Sequence, residues 1–186
     1  MSTNTPKKDP CLVVTAKVRL SYAHIWTPQA AQEGGEPKYS LSIIIPKSDK
    51  ATIKAIEEAT KAAAELGKAK LGGKIPATLK VPLRDGDAER EDDEAYLNSL
   101  FLNASSKSKP QIVDADVNPI LDQEQVYSGC YARVSLRFYA YNSNGSKGVA
   151  AGLGNIQKLA DGEPLGGKRS AEADFGAFKS EQDDDL

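Results

Sequence analysis

The chain has 186 residues, with hydrophobic residues at 40%, charged ones at 27% and a net charge of −2. That is enough chain to bury one core without disulfide or metal staples, with the composition of an ordinary soluble domain. No apolar run reaches the roughly 20 residues needed to cross a bilayer, and the polar start MSTNTPKKDP lacks a secretory signal's apolar stretch, so no membrane partner is expected and a cytoplasmic location is.

CLVVTAKVRLSY at 11–22 alternates, with Leu12, Val14, Ala16, Val18 and Leu20 on one face and Thr15, Lys17, Arg19 and Ser21 on the other, which predicts a strand. AHIWTPQAAQEGGEPK at 23–38 is rich in Gly, Pro and Gln and is expected to be a long loop. Within it Trp26 fits either a base-stacker or a plug of the core, and packing is preferred. KYSLSIIIP at 38–46 gives a second strand, closed by Pro46. Ser48 and Asp49 then offer N-cap chemistry for a helix over about 49–66, with Ile53, Ile56, Ala59, Ala63 and Leu66 as its buried stripe.

Residues 74–100 are less regular. DGDAEREDDE at 85–94 holds seven acids against Arg90 alone. SLFLNASS at 99–106 and QIVD at 111–114 are expected to be short strands on either side of the loop KSKP, and DVNPILDQEQVYSG is turn-rich. Two long segments follow, CYARVSLRFYAY and VAAGLGNIQKL, around the polar stretch NSNGSKG at 142–148. They are expected to form a hairpin whose turn exceeds the tight two-residue type. SAEADFGAFKSEQDDDL at 170–186 carries six acids and one lysine, a net of −5. With this tail and the 85–94 stretch set aside, the remaining body is +9, so the overall acidity does not argue against an anionic partner. The domain layout expected is a flexible N-terminus at 1–10, one folded domain at 11–166 and a disordered acidic tail at 167–186.

Enzyme chemistry finds little support. The single histidine, His24, has no cysteine or acid at ligand spacing, and a lone loop histidine is seldom a catalyst. Asp85-Gly86-Asp87 is too short a ligand series for a calcium loop and is taken as a turn with solvated charge, which leaves a metal-dependent nuclease as a weak third possibility. No phosphate-cradling glycine pattern occurs, and no cofactor is implied. Cys11 and Cys130 have neither metal-ligand nor disulfide-framework spacing.

The segment from 130 to 141 is more specific. Cys130, Ala132, Val134, Leu136, Phe138 and Ala140 occupy one face of the strand, and Tyr131, Arg133, Ser135, Arg137, Tyr139 and Tyr141 the other. Cations that follow phosphates, combined with rings on which bases stack, are the two devices that hold single-stranded nucleic acid without sequence preference. Tyr131, Arg133, Arg137, Tyr139 and Tyr141 are therefore the first candidate contacts. Lys17, Arg19, Lys38 and Tyr39 on neighbouring strands, with Lys107, Lys109 and Lys147 in loops, are expected to extend that surface. The competing reading is a protein-interaction module that uses the Tyr/Arg strand as a dimer or partner interface.

Short antiparallel strands with one helix and long loops point to a mainly β fold. An OB-type small barrel fits, since it presents a curved strand face to oligonucleotides. The blocks KYSLSIIIPKSD, PLRDGD, FLNASSKSKPQIVD, VYSGCYARVSLRFYAYN and KGVAAGLGNIQKL, in that order, resemble the phage and prophage family of single-stranded-DNA-binding proteins. The resemblance implies an OB barrel and non-catalytic binding of single-stranded DNA in phage replication, recombination or repair. It also implies that the acidic end, with Asp183, Asp184, Asp185 and Leu186, recruits replication or recombination proteins. That end lacks the Pro-Phe tip of bacterial homologues, so docking onto the host's usual partners is not expected.

Overall fold

Residues 11–22 alternate like one strand, but the structure, a computed structural model that describes residues 9–30 and 33–165 together with Phe175 and Ala177, breaks them in two. Among the described residues eight strands run in the order β1 (Leu12–Val14), β2 (Val18–Gln29), β3 (Lys38–Pro46), β4 (Arg84–Asp85), β5 (Ser99–Ser106), β6 (Ile112–Val113), β7 (Tyr131–Ser143) and β8 (Ser146–Ala160). Helix α1 (Lys50–Leu66) follows β3, a single-turn α2 (Gly86–Glu89) follows β4, and 3-10 turns occupy Glu94–Tyr96 and Gln123–Gln125.

The break between β1 and β2 reverses the face expected for the first strand. Val13 and Thr15 are buried while Leu12 and Val14 are exposed; beyond the break Val18 and Leu20 are buried. The Thr15 hydroxyl accepts from Val134 N–H and donates to Ala16 O. This anchors the break to β7, so β1 and β2 both pair with β7 but out of phase. The first part of the expected loop at 23–38 is also strand, since β2 continues to Gln29 and pairs with β3 through two register shifts, while 33–37 is loop as expected. Bulges of this kind let a strand curve and absorb residues that do not alternate.

The main pairings form a circuit. β2 pairs with β3, β3 with β5, β5 with β8, β8 with β7, and β7 with β2. All are antiparallel except β5–β8. Inside the circuit lie Leu20, Leu41, Ile43, Ile45, Leu102, Val134, Leu136, Phe138 and Leu153 in one core. Helix α1 lies against β7, β1 and β8. Asp49 caps its N-terminus by accepting from Thr52 N–H at 3.2 Å. Of its expected stripe, Ile56, Ala59 and Ala63 are buried, Ile53 is half-buried, and Leu66 is 72% exposed because the helix ends there.

The β7–β8 hairpin turns more tightly than the sequence suggests. Ser143 pairs with Ser146, which leaves only Asn144 (φ 50°) and Gly145 (φ 86°) in the turn. Two consecutive positive-φ residues form the turn whose twist matches paired strands, and Asn-Gly is its preferred sequence.

A second, smaller core lies on the opposite face of β3 and β5. Ile44, Tyr96 and Phe101 pack together there, with the two rings edge to face at 5.2 Å. The Tyr96 hydroxyl is 3.2 Å from Ser42 Oγ. The acidic stretch is thus held against the sheet. Lys47 bridges Asp85 at 3.1 Å and Asp87 at 2.7 Å, and Arg84 holds Glu89 at 2.9 Å.

Candidate nucleic-acid interface

Along β7 the expected alternation is present. Ala132, Val134, Leu136, Phe138 and Ala140 are buried, while Arg133, Arg137 and Tyr139 are exposed and Tyr131, Ser135 and Tyr141 half-buried. The outward residues do not form one uniform row. They divide into two groups, one at each end of the strand.

At the start of β7, the Lys17 ammonium stands 4.9 Å from the Tyr131 ring centre and the Arg19 guanidinium 5.7 Å from it. This follows from pairing, since Arg19 lies opposite Tyr131. Arg19 is already committed, donating to Gly129 O at 3.1 Å and Glu163 O at 2.7 Å. Arg133 donates from Nε to Thr15 O at 3.3 Å, with its other end exposed beside Gln157. Lys17 is therefore the freer cation of this group.

At the other end, Arg137, Tyr139 and Tyr141 lie opposite Gly152, Ala150 and Gly148 of β8. The outward positions of β8 are small here, so the tyrosine rings stand above a low floor. A Cβ at Gly148 would be 2.7 Å from the Tyr141 hydroxyl and 2.7 Å from Lys80 O, so only glycine lets the three meet. The next strands continue the floor with polar residues. Gly152 aligns with Ser105, Ser105 with Ser40, and Ser40 with His24. With strands about 4.8 Å apart, the path from Ser40 to Arg137 spans roughly 14 Å. Above it, a groove of about 700 Å3 runs between residues 80–85, Asn103, Tyr141 and Ala150. Below it, a groove of about 620 Å3 is lined by His24, Lys38, Glu36, Ser40 and Ser105.

The remaining expected contacts are scattered. Lys38 is exposed on the lower groove, and Lys107 pairs with Glu36 at 3.3 Å across the same opening. Tyr39 falls on the inward face of β3 and packs against the core, because Leu41, Ile43 and Ile45 fix that parity. Lys147 is likewise turned away and donates to Leu71 O at 3.1 Å behind α1. Lys109 stands 5.6 Å from the Trp26 ring centre, while Trp26 donates to Val126 O and packs on the core. Asp183, Asp184, Asp185 and Leu186 lie outside the described residues.

Sequence alternation missed Ser40, Asn103, Ser105 and the glycines of β8, which carry no charge or ring. Their signal was the run GVAAGLG, small at every second position. Arg137 is held by Asp9 at 2.6 Å, although its side chain remains 64% exposed. On the acidic wall, the Lys47 ammonium draws the Asp87 carboxyl below the usual carboxylate range, and the Arg84 guanidinium does the same to Glu89. Glu89 and Asp85 line the upper groove, so acids bound the surface on that side.

The chain as a whole is similar to known proteins. A model of the Enterobacter phage Enc34 ssDNA-binding protein family matches residues 11–186. Protein p50 of Acyrthosiphon pisum secondary endosymbiont phage 1 is 32% identical over 180 residues, covering 91% of this chain and 95% of that protein. The solved single-stranded DNA-binding protein of bacteriophage Enc34 in complex with ssDNA aligns with TM-score 0.73 at 25% identity, over 84% of this chain and 90% of that one. The gp2.5 single-stranded DNA binding protein of bacteriophage T7 shares the fold, with TM-score 0.54 at 17% identity over 82% and 93% of the two chains. The chain thus belongs to the Enc34 family of phage ssDNA-binding proteins.

Proposed function

We propose that the protein binds single-stranded DNA without strong sequence preference and without catalysis, in the host cytoplasm, in support of phage DNA replication, recombination or repair. The circuit of strands β2, β3, β5, β8 and β7 is in this reading an OB-type barrel, and its outer face is the DNA site. The observation that carries the proposal is the row from Arg137 and Tyr139 across Gly152 and Ser105 to Ser40. Tyr139, 45% exposed, offers a stacking surface, Arg137, Lys38 and Lys107 supply cations on its side of the sheet, and Lys17 beside Tyr131 extends the charge to the far end of β7. Stacking is sequence-tolerant because every base has a π face. The carboxy-terminal acids, net −5 from residue 170 onward, compete for the same basic surface and recruit replication partners when DNA displaces them.

The test is titration of a fluorescent oligo-dT at two salt concentrations, with duplex DNA and single-stranded RNA as competitors. The expected result is tight, salt-dependent binding of oligo-dT that the duplex displaces poorly, and an affinity loss on the order of 1–3 kcal/mol in Tyr139→Ala with little change in salt slope. Absence of oligo-dT binding, or wild-type affinity in Tyr139→Ala, overturns the assignment of this face.

A further inference from the structure

The outer edge of β1 carries a site that DNA binding does not use. Phe138 N–H donates to Cys11 O, and Thr15 N–H donates to Val134 O. In an antiparallel pair alternate residues face the partner, so Cys11, Val13 and Thr15 bond toward β7 while Leu12 and Val14 turn their backbone groups away from it. Leu12 N–H is taken by Asp9 O. Among the described residues nothing pairs with Leu12 O, Val14 N–H or Val14 O, and β1 has no strand partner but β7. This edge is bordered by an apolar groove of about 590 Å3 lined by Leu12, Val13, Val14, Ala55, Ala59 and Ala62. Leu12 is 43% exposed and Val14 54%. The acids at its rim are already paired, Asp9 with Arg137 and Glu58 with Lys54.

An open strand edge beside a groove with a small-residue wall suits an extended segment with small alternate side chains. The chain contains one. In AEADFGAF, residues 171–178, Ala171, Ala173, Phe175 and Ala177 alternate with Glu172, Asp174 and Gly176, the period of a strand with one apolar face. Phe175 is 73% exposed. The length also fits. Leu165 N–H is bonded to Ser128 O, seven residues along the chain from Ser135, which pairs with Val14; that is about 23 Å at the strand rise. Phe175 lies ten residues past Leu165, within reach of roughly 33–36 Å.

We propose that residues 171–178 add as a strand to the free edge of β1, with Phe175 seated in the groove between β1 and α1. This holds the carboxy-terminal aspartates close to Arg137, the β7 partner of Leu12. The docking is independent of DNA and stands or falls apart from the DNA-binding assignment.

The test is amide hydrogen exchange on the full-length protein without DNA, comparing wild type with the double variant Phe175→Ala/Phe178→Ala. Val14 N–H is the reporter. Val13 N–H, bonded into β7, is the internal control for an intact sheet. The expected result is Val14 exchange at least about tenfold slower in wild type than in the variant, with Val13 unchanged. Protection independent of protein concentration means that each chain docks its own segment, and protection that rises with concentration means that a second copy supplies it; both support the site. Equal Val14 exchange in the two proteins, whether fast or slow, overturns it.

Discussion

Arg137 tests the electrostatic part of the proposed interface, because the structure shows what it must release to meet a phosphate. Its guanidinium sits 2.6 Å from Asp9, with side-chain exposures of 64% and 32%. An ion pair this open to water contributes about 0–1 kcal/mol, so DNA can displace Asp9 at small cost. Asp9→Asn removes the competing charge yet keeps the oxygen that accepts from Cys11 N–H at 2.9 Å. It should therefore tighten single-strand binding by up to about fivefold, the equivalent of the upper end of that range. Arg137→Ala should weaken binding and lower the salt slope by about 0.7, the contribution of one phosphate contact on a single strand. The ratio of wild-type to variant affinity should then shrink by about 2.6-fold between 50 and 200 mM salt. Fluorescence titration of wild type, both single variants and the double variant at the two salts closes a mutant cycle. In the Arg137→Ala background the gain from Asp9→Asn should largely vanish. An equal gain in both backgrounds, or an unchanged slope in Arg137→Ala, would show that Arg137 does not meet the DNA.

Phe138→Ala should cost about 3–5 kcal/mol in urea denaturation, since the side chain is 2% exposed in the main core; full stability with lost DNA binding would reverse the faces of β7. A chain ending at Gly167 should bind oligo-dT more tightly than the full protein at low salt, with the gain fading as the screening length falls below about 10 Å; equal affinity at both salts would remove the tail from the DNA site. Acid should destabilise the fold modestly. Asp87, Glu89 and Asp161 have depressed carboxyl pKa values through Lys47, Arg84 and Lys158 respectively. Their contribution is complete above the ordinary carboxylate range near about 4 and is lost as pH falls through the lower folded values. Asp87→Asn should flatten the fall in melting temperature on acidification, and an unchanged profile would show that the Lys47 bridge contributes nothing.

Where a pattern was set by burial alone, the sequence was a good guide. β3 and β5, apolar on both faces where the two cores meet them, have the expected bounds, and β7, with one face in the main core, shows the expected faces. The first strand misled because alternation counts residues and not breaks. Leu12 and Val14 are apolar but lie outside, and only the pairing of both β1 and β2 with β7 fixes their phase. Asn144-Gly145 was legible turn chemistry hidden inside a longer polar stretch. For the interface, sequence named rings and cations but not their commitments. Lys147 and Arg19 look free in one dimension, and each spends its charge on backbone carbonyls that folding brings near. The serines of the floor carry no charge or ring to mark them, and the β8 glycines left only the faint sign of a run that is small at every second position.

The parallel pairing of β5 with β8 has a consequence for how the molecule moves. It is two residues long, Ala104 with Ala151 and Ser105 with Gly152, whereas β7 and β8 are zipped from Tyr131 to Ser143. The β2–β7 pairing is equally short, so the circuit has two brief seams, and each is a place where local opening costs less than global unfolding. The row proposed for DNA crosses the β5–β8 seam, from Ser105 to Gly152. A strand lying across it would act as a clasp, so that occupancy would be felt as slower opening of the seam and a higher melting temperature. Recognition and mechanical closure would then be the same event.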